Sequence, residues 1–252
     1  MTEPSISAQK PGNVTVVADA SALYRAAAAE FSRCAREAIA AGGRFSVALS
    51  GGNTPRGVYS LLAADQGKAL PWNQVFVFFG DERHVPPDHP DSNYRMANET
   101  LLSKVPIPPQ NVFRVPAELP ADLAAGQYEQ SVREFFNVRD NTWPNFDLVL
   151  LGLGDDGHTA SLFPGTAALQ ETLRLVVANW VEKFQGYRIT FTYPVLNHAA
   201  EALFLVSGEG KAQILKSVLA SSEPKAYPAQ AVQPQAGIMM WLVDREAARL
   251  LE

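Results

Sequence analysis

The chain has 252 residues, 47% hydrophobic and 19% charged, which excludes a disordered protein. Its formal net charge of -5 argues against a broad surface for nucleic acid or anionic membranes. The single cysteine, Cys34, excludes an intramolecular disulfide and a cysteine-based metal cage. No segment approaches the ~18–20 apolar residues of a membrane span, and the first residues lack an apolar signal core. We therefore expect a soluble cytoplasmic protein.

Residues 1–13 predict a loose leader, and an amphipathic helix follows them. Asp19 or Ser21 is its predicted N-cap, and Gly42-Gly43 its end. The apolar stripe of this helix recurs at spacings of three and four and comprises Leu23, Ala27, Phe31, Cys34 and Ala38.

Beyond this helix, short apolar runs alternate with helical patterns. The apolar runs are FSVAL, VFVFF, FDLVLLGLG, ALFLVSG and IMMWLVD, and the helical patterns cover 55–65, 93–103, 121–137, 210–220 and 244–251. The runs do not alternate with polar residues, as expected for strands covered on both faces. The sequence predicts an α/β fold: one domain over 1–252, with a mostly parallel sheet and helices on both faces.

In such sheets, ligands bind beyond the carboxyl ends of the strands. Polar loops follow four of the runs: SGGNTP, GDERHVP, GDDGHTASLFPG and SGEGKA. We expect these loops to meet in one cleft.

The first loop opens a helix. Gly51 and Gly52 allow close backbone approach, and the free N–H groups of a first helical turn bind phosphate. Ser50 and Thr54 complete this set of candidate substrate-binding residues. The segment lacks the P-loop and dinucleotide-binding patterns, and a plain strand-to-helix turn is the alternative.

The second loop carries Asp81 and Arg83 as candidate substrate-binding residues. A guanidinium such as that of Arg83 holds an anionic group through two parallel hydrogen bonds. Exposed loop charges that pair with one another are the alternative.

The third loop contains the candidate catalytic residues. Asp155 or Asp156 would orient His158 and raise its basicity, which tunes a general base. Asp156 is the first choice and Asp155 a close second, because the sequence does not separate the two acids. In the alternative, the glycines form a turn and the acids cap a helix. These residues are crowded along the chain and have no His-x3-His or cysteine partner, so we predict no metal site.

Three cations complete the candidate substrate-binding residues: Lys183, Arg188 and Lys211. Lys211 opens a helix, where a cation works against the helix dipole, and this favours a bound anion. A solvated lysine is the alternative.

These segments carry a family resemblance over about residues 44–218. They are SGGNTP, FFGDERHVP with DSNYRMANETLL, LLGLGDDGHTASLFPG, K-x4-RITFT and SGEGKA. In this order they resemble the 6-phosphogluconolactonase family, and more distantly the glucosamine-6-phosphate deaminases, which share its α/β fold. The resemblance implies hydrolysis of the lactone of 6-phosphogluconate in the oxidative pentose phosphate pathway, without a metal or organic cofactor.

Two departures bear on this resemblance. Deaminases have Glu five residues after the histidine, where this chain has Phe163. The lactonases tend to have prolines between the lysine and arginine of K-x4-R, where this chain has Phe184-Gln185-Gly186.

Ring opening of the lactone by water activated by His158 is the expected chemistry. A covalent route through Ser161 is weaker, because the GxSxG pattern is missing. The competing interpretations are a phosphosugar isomerase or deaminase and a non-catalytic sugar-phosphate sensor. The expected partner is a small phosphosugar lactone, and the sequence leaves open whether the protein is a monomer or a dimer.

Overall fold

A computed structural model of the protein describes residues 13–66, 69–139, 142–221 and 226–251. The strands are β1 (Asn13–Val17), β2 (Phe45–Leu49), β3 (Val75–Phe79), β4 (Asp81–Arg83), β5 (Leu148–Leu151), β6 (Val176–Val181), β7 (Gly186–Phe191), β8 (Glu201–Val206) and β9 (Ile238–Asp244). The helices are α1 (Ala20–Gly42), α2 (Asn53–Leu61), α3 (Asn93–Thr100), α4 (Ala121–Phe136), α5 (Tyr193–Leu196), α6 (Ala212–Ala220) and α7 (Arg245–Ala248).

The main sheet has six strands in the order β1-β9-β8-β5-β2-β3, and all the pairs are parallel. Every residue of β2 and β8 is buried, so both faces of the sheet are covered at its centre. This confirms the predicted α/β fold with a mostly parallel sheet. The parallel arrangement places the loops after β2, β3, β5 and β8 at one edge.

Helix α1 follows the predicted pattern. Asp19 is the N-cap, and its carboxylate accepts a hydrogen bond from the N–H of Ala22 at 2.7 Å. The helix ends at Gly42, and the N–H of Gly43 donates to the carbonyl of Ile39. The predicted stripe is buried from Leu23 to Cys34, which explains why this helix packs on the sheet.

A second, antiparallel sheet of the order β4-β7-β6 was not predicted. The interpretation of Asp81–His84 as a loop was wrong for its first three residues, which form β4. After Gly80 the chain leaves β3 and pairs with β7, where Arg83 lies opposite Arg188. A strand of three charged residues has no apolar alternation, so only its distant partner defines it.

Several boundaries also differ from prediction. The leader was predicted to reach residue 13, but Asn13 begins β1, while residues 1–12 lie outside the described residues. Helix α2 begins at Asn53 rather than 55, and α6 begins at Ala212, after a 3-10 turn over Glu209–Lys211. Differences of this size are ordinary, because local capping and packing set helix ends. None of the described helices combines the length and apolar character needed to span a bilayer.

Candidate active site

A cavity of about 470 Å³ lies where the carboxyl edge of the main sheet meets the small sheet. Ten of the residues predicted from sequence line it: Ser50, Gly51, Gly52, Asp81, Arg83, Asp155, His158, Lys183, Arg188 and Lys211. Two predicted residues are not in its lining. Thr54 lies in the first turn of α2, and Asp156 lies behind His158. The four polar loops therefore meet, as expected from the sheet topology.

The imidazole of His158 is held by Asp156. The Nδ1 atom of His158 lies 2.5 Å from Oδ1 of Asp156, which also accepts the backbone N–H of His158 at 3.2 Å. Burial raises the pKa of Asp156, but hydrogen bonds and charge from His158, together with the charge of Lys183, outweigh it and hold that pKa below its ordinary value. The carboxylate is therefore ionised near neutral pH. An ionised carboxylate can only accept, so it fixes the neutral imidazole in the tautomer that has the proton on Nδ1 and the lone pair on Nε2.

Asp155 has a different partner. Its side chain is 79% exposed, and its Oδ1 accepts a hydrogen bond from Nζ of Lys211 at 2.5 Å. This hydrogen bond holds the pKa of the Asp155 carboxyl below its ordinary value. The structure thus places Asp156, and not Asp155, against His158.

The turn that carries His158 depends on two glycines. A Cβ atom on Gly154 would lie 2.0 Å from Nδ1 of His158, so any side chain there would displace the ring. Gly157 has a backbone φ of +77°, a value that residues other than glycine rarely adopt. The turn is closed by a hydrogen bond from the N–H of Gly154 to the carbonyl of His158 at 2.8 Å. These contacts fix the imidazole at the cavity wall.

Phe163 packs against the base. Its ring is stacked on the imidazole of His158 with centroids 3.9 Å apart, and its side chain is buried. The ring covers one face of the imidazole and supplies no acid–base group. This is the position at which the deaminases have Glu.

Two arginines of the small sheet lie opposite each other and line the same cavity. Arg83 and Arg188 are directly paired residues of β4 and β7, and both line the cavity. Among the residues that the structure describes, neither guanidinium forms an ion pair with a carboxylate. Burial, and then the positive charge of Arg83, lower the pKa of Arg188. Like charges opposite one another are destabilising, which favours an anion between them.

The glycine loop lies at the N-terminus of α2. Gly52 caps the helix with φ +104°, and it has no side chain that could accept hydrogen bonds from the first turn. The Oγ atom of Ser50 is buried and forms no hydrogen bond within the described part of the chain. The hydroxyl of Thr159 is likewise buried without a hydrogen bond to the described residues, and both Ser50 and Thr159 line the cavity. Unsatisfied buried polar groups in a cavity are ready partners for a polar ligand.

Asp81 is held by two neighbours. Its Oδ2 accepts a hydrogen bond from Oγ of Ser161 at 2.6 Å, and its backbone carbonyl accepts one from Nδ2 of Asn93 at 2.9 Å. The hydroxyl of Ser161 therefore donates its hydrogen bond to a carboxylate, and no described contact joins Ser161 to His158. This arrangement does not resemble a serine nucleophile activated by histidine.

Nine further lining residues were not among the predicted ones: Asn93, Gly152, Leu153, Gly154, Thr159, Ala160, Ser161, Phe163 and Phe184. Seven of them lie within the segment LLGLGDDGHTASLFPG, so proximity to His158 was the available signal. Asn93 lies at the start of α3, in the segment DSNYRMANETLL shortly after the loop of Arg83, and its inclusion depends on the contact with Asp81.

A cluster outside the cavity offers metal-ligand atoms. Atoms of Glu30, Cys34 and Glu201 lie within 4.8 Å of one another, near the start of β8. The guanidinium of Arg33 already contacts all three side chains, at 2.7, 3.3 and 2.6 Å. A cation held there in addition would face the positive charge of Arg33, so we assign no metal to this cluster.

Comparison with known proteins relates the chain to the same family as the sequence motifs do. The chain is 47% identical to a 6-phosphogluconolactonase of Nostoc sp. over 213 residues, which are 83% of this chain and 86% of that protein. It is 38% identical to the 6-phosphogluconolactonase of Homo sapiens over 250 residues, 98% of this chain and 96% of that protein.

A solved structure is also similar. The 6-phosphogluconolactonase of Trypanosoma brucei has a TM-score of 0.84 at 28% identity, over 97% of this chain and 100% of that chain. Residues 18–241 match the sequence model of the glucosamine-6-phosphate isomerases/6-phosphogluconolactonase family. This match includes every residue that lines the cavity and most of the main sheet, and the chain belongs to that family.

Proposed function

We propose that the protein hydrolyses 6-phospho-D-glucono-1,5-lactone to 6-phosphogluconate, a step of the oxidative pentose phosphate pathway, with His158 as the base. One observation carries the assignment of roles. His158, held by Asp156, and the paired residues Arg83 and Arg188 belong to one cavity. A substrate with a phosphate at one end and a reactive carbonyl at the other fits between them. The relatives named 6-phosphogluconolactonase support the reaction itself.

The chemistry begins with proton transfer to His158. Nε2 takes a proton from a water molecule as the water oxygen attacks C1 of the lactone, and the C1 carbonyl becomes a tetrahedral oxyanion. The imidazolium then gives a proton to the ring oxygen as the bond between C1 and that oxygen breaks. The product is an open-chain acid, which ionises to 6-phosphogluconate. Proton transfer of this kind contributes about 10²–10⁴-fold to the rate.

Asp156 acts through His158. Its carboxylate fixes the tautomer with the proton on Nδ1 and stabilises the imidazolium that forms during the reaction. Asp155 holds Lys211 instead, and so contributes to the placement of a cation.

The phosphate is bound by charge and by backbone N–H groups. Arg83 and Arg188 supply guanidinium forks, and the first turn of α2, from Gly52 to Thr54, supplies N–H donors. Lys183 and Lys211 add positive charge at the cavity wall. The hydroxyls of Ser50 and Thr159 and the carboxylate of Asp81 are partners for the sugar hydroxyls.

The alternative functions fit less well. Moving protons between the carbons of an opened sugar needs additional acid–base groups, and Phe163 supplies none. A pure sugar-phosphate sensor has no need of an imidazole held by a carboxylate. The cytoplasmic location and the oligomeric state stay predictions.

The deciding experiment follows hydrolysis of freshly generated 6-phosphoglucono-δ-lactone, with the spontaneous rate subtracted. We expect strong acceleration by the wild type and a loss of about 10²–10⁴-fold in kcat for His158→Ala, with KM little changed. Acceleration by both proteins would keep the activity and remove His158 as the base. Ammonia release from glucosamine 6-phosphate, without lactone hydrolysis, would favour the deaminase.

A further inference from the structure

Phe184 is an exposed aromatic residue at the cavity wall. It ends the 3-10 turn Glu182–Phe184 between β6 and β7, and 46% of it is exposed. Its contacts give it a role.

Two cations of the cavity lie over its ring. The Cζ atom of Arg188 is 4.8 Å from the ring centroid of Phe184, and Nζ of Lys183 is 5.6 Å from it. Both distances lie within the ~6 Å at which a cation is attracted to the face of an aromatic ring. One ring therefore contacts two of the cations that we assign to substrate binding.

The ring holds Arg188 without neutralising it. Arg188 forms no ion pair within the described part of the chain, and its one described side-chain hydrogen bond goes to the carbonyl of Tyr187 at 3.1 Å. A carboxylate in place of Phe184 would compete with the phosphate for the guanidinium. A guanidinium that stacks on an aromatic ring keeps its N–H donors, which lie in its own plane, available for an anion.

The ring of Phe184 packs against a buried aromatic residue. The ring of Phe163 meets it edge to face, with centroids 5.6 Å apart and an angle of 75° between the planes. Phe163 is buried against His158, so its ring is a fixed packing surface for the more exposed ring of Phe184.

We propose that Phe184 is a positioning residue of the phosphate site, whose ring aligns Arg188 toward the substrate while leaving its guanidinium free of an ion pair, and also holds Lys183, whose Nζ lies 3.6 Å from Oδ2 of Asp156. The proposal rests on the proposed function, because it assigns these cations to the substrate phosphate. We assign Phe184 to substrate binding rather than to proton transfer, because its shorter cation contact is with Arg188 and its contact with His158 passes through the buried Phe163.

The test compares Phe184→Leu, which keeps apolar volume but removes the ring, with Phe184→Tyr, which restores a ring. The matched control is Trp180→Leu, which removes an exposed aromatic residue of the same small sheet that is outside the cavity lining. Each protein is assayed for kcat and KM with the lactone, and calorimetry gives its Kd for 6-phosphogluconate. Thermal unfolding verifies that the variants fold.

We expect Phe184→Leu to raise KM and Kd by about three- to tenfold, the size of one or two cation–ring contacts. We expect kcat to change by less than about twofold, and Phe184→Tyr to restore all three constants. In an Arg188→Ala background, Phe184→Leu should have a much smaller effect on Kd, because the principal cation is gone.

Three results would overturn the proposal: equal constants for Phe184→Leu and Trp180→Leu, a fall in kcat with KM and Kd unchanged, or full additivity with Arg188→Ala. A wild type that binds 6-phosphogluconate without hydrolysing the lactone refutes the proposed function alone, and the Kd comparison still decides the role of Phe184. A wild type that does not bind this phosphosugar overturns both.

Discussion

The carboxylate of Asp156 lies 2.5 Å from Nδ1 of His158, in the same turn in which its neighbour Asp155 faces away to Lys211. Adjacent carboxylates thus have separate partners, one an imidazole and the other an ammonium. The difference arises from the backbone, because the tight turn closed at Gly154 and Gly157 folds Asp156 under the ring. This separation allows the two acids to be tested against each other.

Asn substituted for Asp156 removes the charge that stabilises the imidazolium of His158. We expect Asp156→Asn to lower kcat at least about tenfold, with a small change in KM, because the proton-transfer step loses its support. Asp155→Asn is the matched control and should leave kcat within about twofold of the wild type. Steady-state kinetics on the lactone measure both. The reverse order of effects would assign the orienting role to Asp155.

Removal of either cavity arginine should weaken substrate binding. Arg83→Ala and Arg188→Ala are expected to raise KM about 10- to 100-fold, the range for loss of a hydrogen bond to a charged group. The effect should shrink as the salt concentration rises, because ions screen the charge. Arg95→Ala is the control, since Arg95 forms an exposed pair with Glu99 on α3. An unchanged KM in both cavity variants would remove these arginines from the phosphate site.

A methyl group at Gly154 should displace the base. In Gly154→Ala the added Cβ would lie 2.0 Å from Nδ1 of His158, and the ring must move. We expect kcat to fall by at least about tenfold while the protein stays folded. Gly152→Ala, in the same segment, places its methyl where no atom lies within 4 Å and should lower kcat less. Equal kcat values for the two variants would argue that the position of His158 is not critical.

The buried Glu201 should make stability depend on pH. Burial, and then the negative charge of Glu30, raise the pKa of Glu201 to about 7, against 4.5 as its ordinary value. Between these two values the folded state keeps a proton that the unfolded chain has lost. The free energy of unfolding therefore falls as pH rises through this window, by at most ~1.4 kcal/mol per pH unit for one titrating group.

Glu201→Gln removes this titration. We expect the Tm of this variant to fall less than that of the wild type between about pH 5 and about pH 8. Glu37→Gln is the control, because Glu37 pairs with the same Arg33 but is 65% exposed. Thermal unfolding across pH measures the slopes, and parallel slopes for Glu201→Gln and wild type would contradict the assignment.

Much of the fold could be predicted because its signals are local. Asp19, Gly42 and Gly43 mark the ends of α1 by capping chemistry, and the buried runs identify the central strands by composition alone. The polar loops could then be placed at one edge of the sheet from topology. That the whole chain forms one domain remains a prediction.

The small sheet could not be predicted, for a physical reason. Strand β4 consists of Asp81, Glu82 and Arg83, whose side chains favour a loop, and it is a strand only because β7 supplies its hydrogen-bond partners. The sequence favoured Asp156 over Asp155 as the partner of His158 but could not separate the two acids, for a similar reason. Neighbours along the chain have nearly the same spacing from His158, and only the turn geometry distinguishes them.

The antiparallel pairing of β4 with β7 has a consequence for which molecules the protein accepts. In the proposed arrangement the base belongs to a turn after the parallel sheet, whereas the arginines belong to the antiparallel one. Backbone hydrogen bonds hold each sheet together, so the distance from His158 to the arginines selects substrates by the number of carbons between phosphate and carbonyl. A lactone one carbon shorter or longer would reach the arginines and still present the wrong atom to His158.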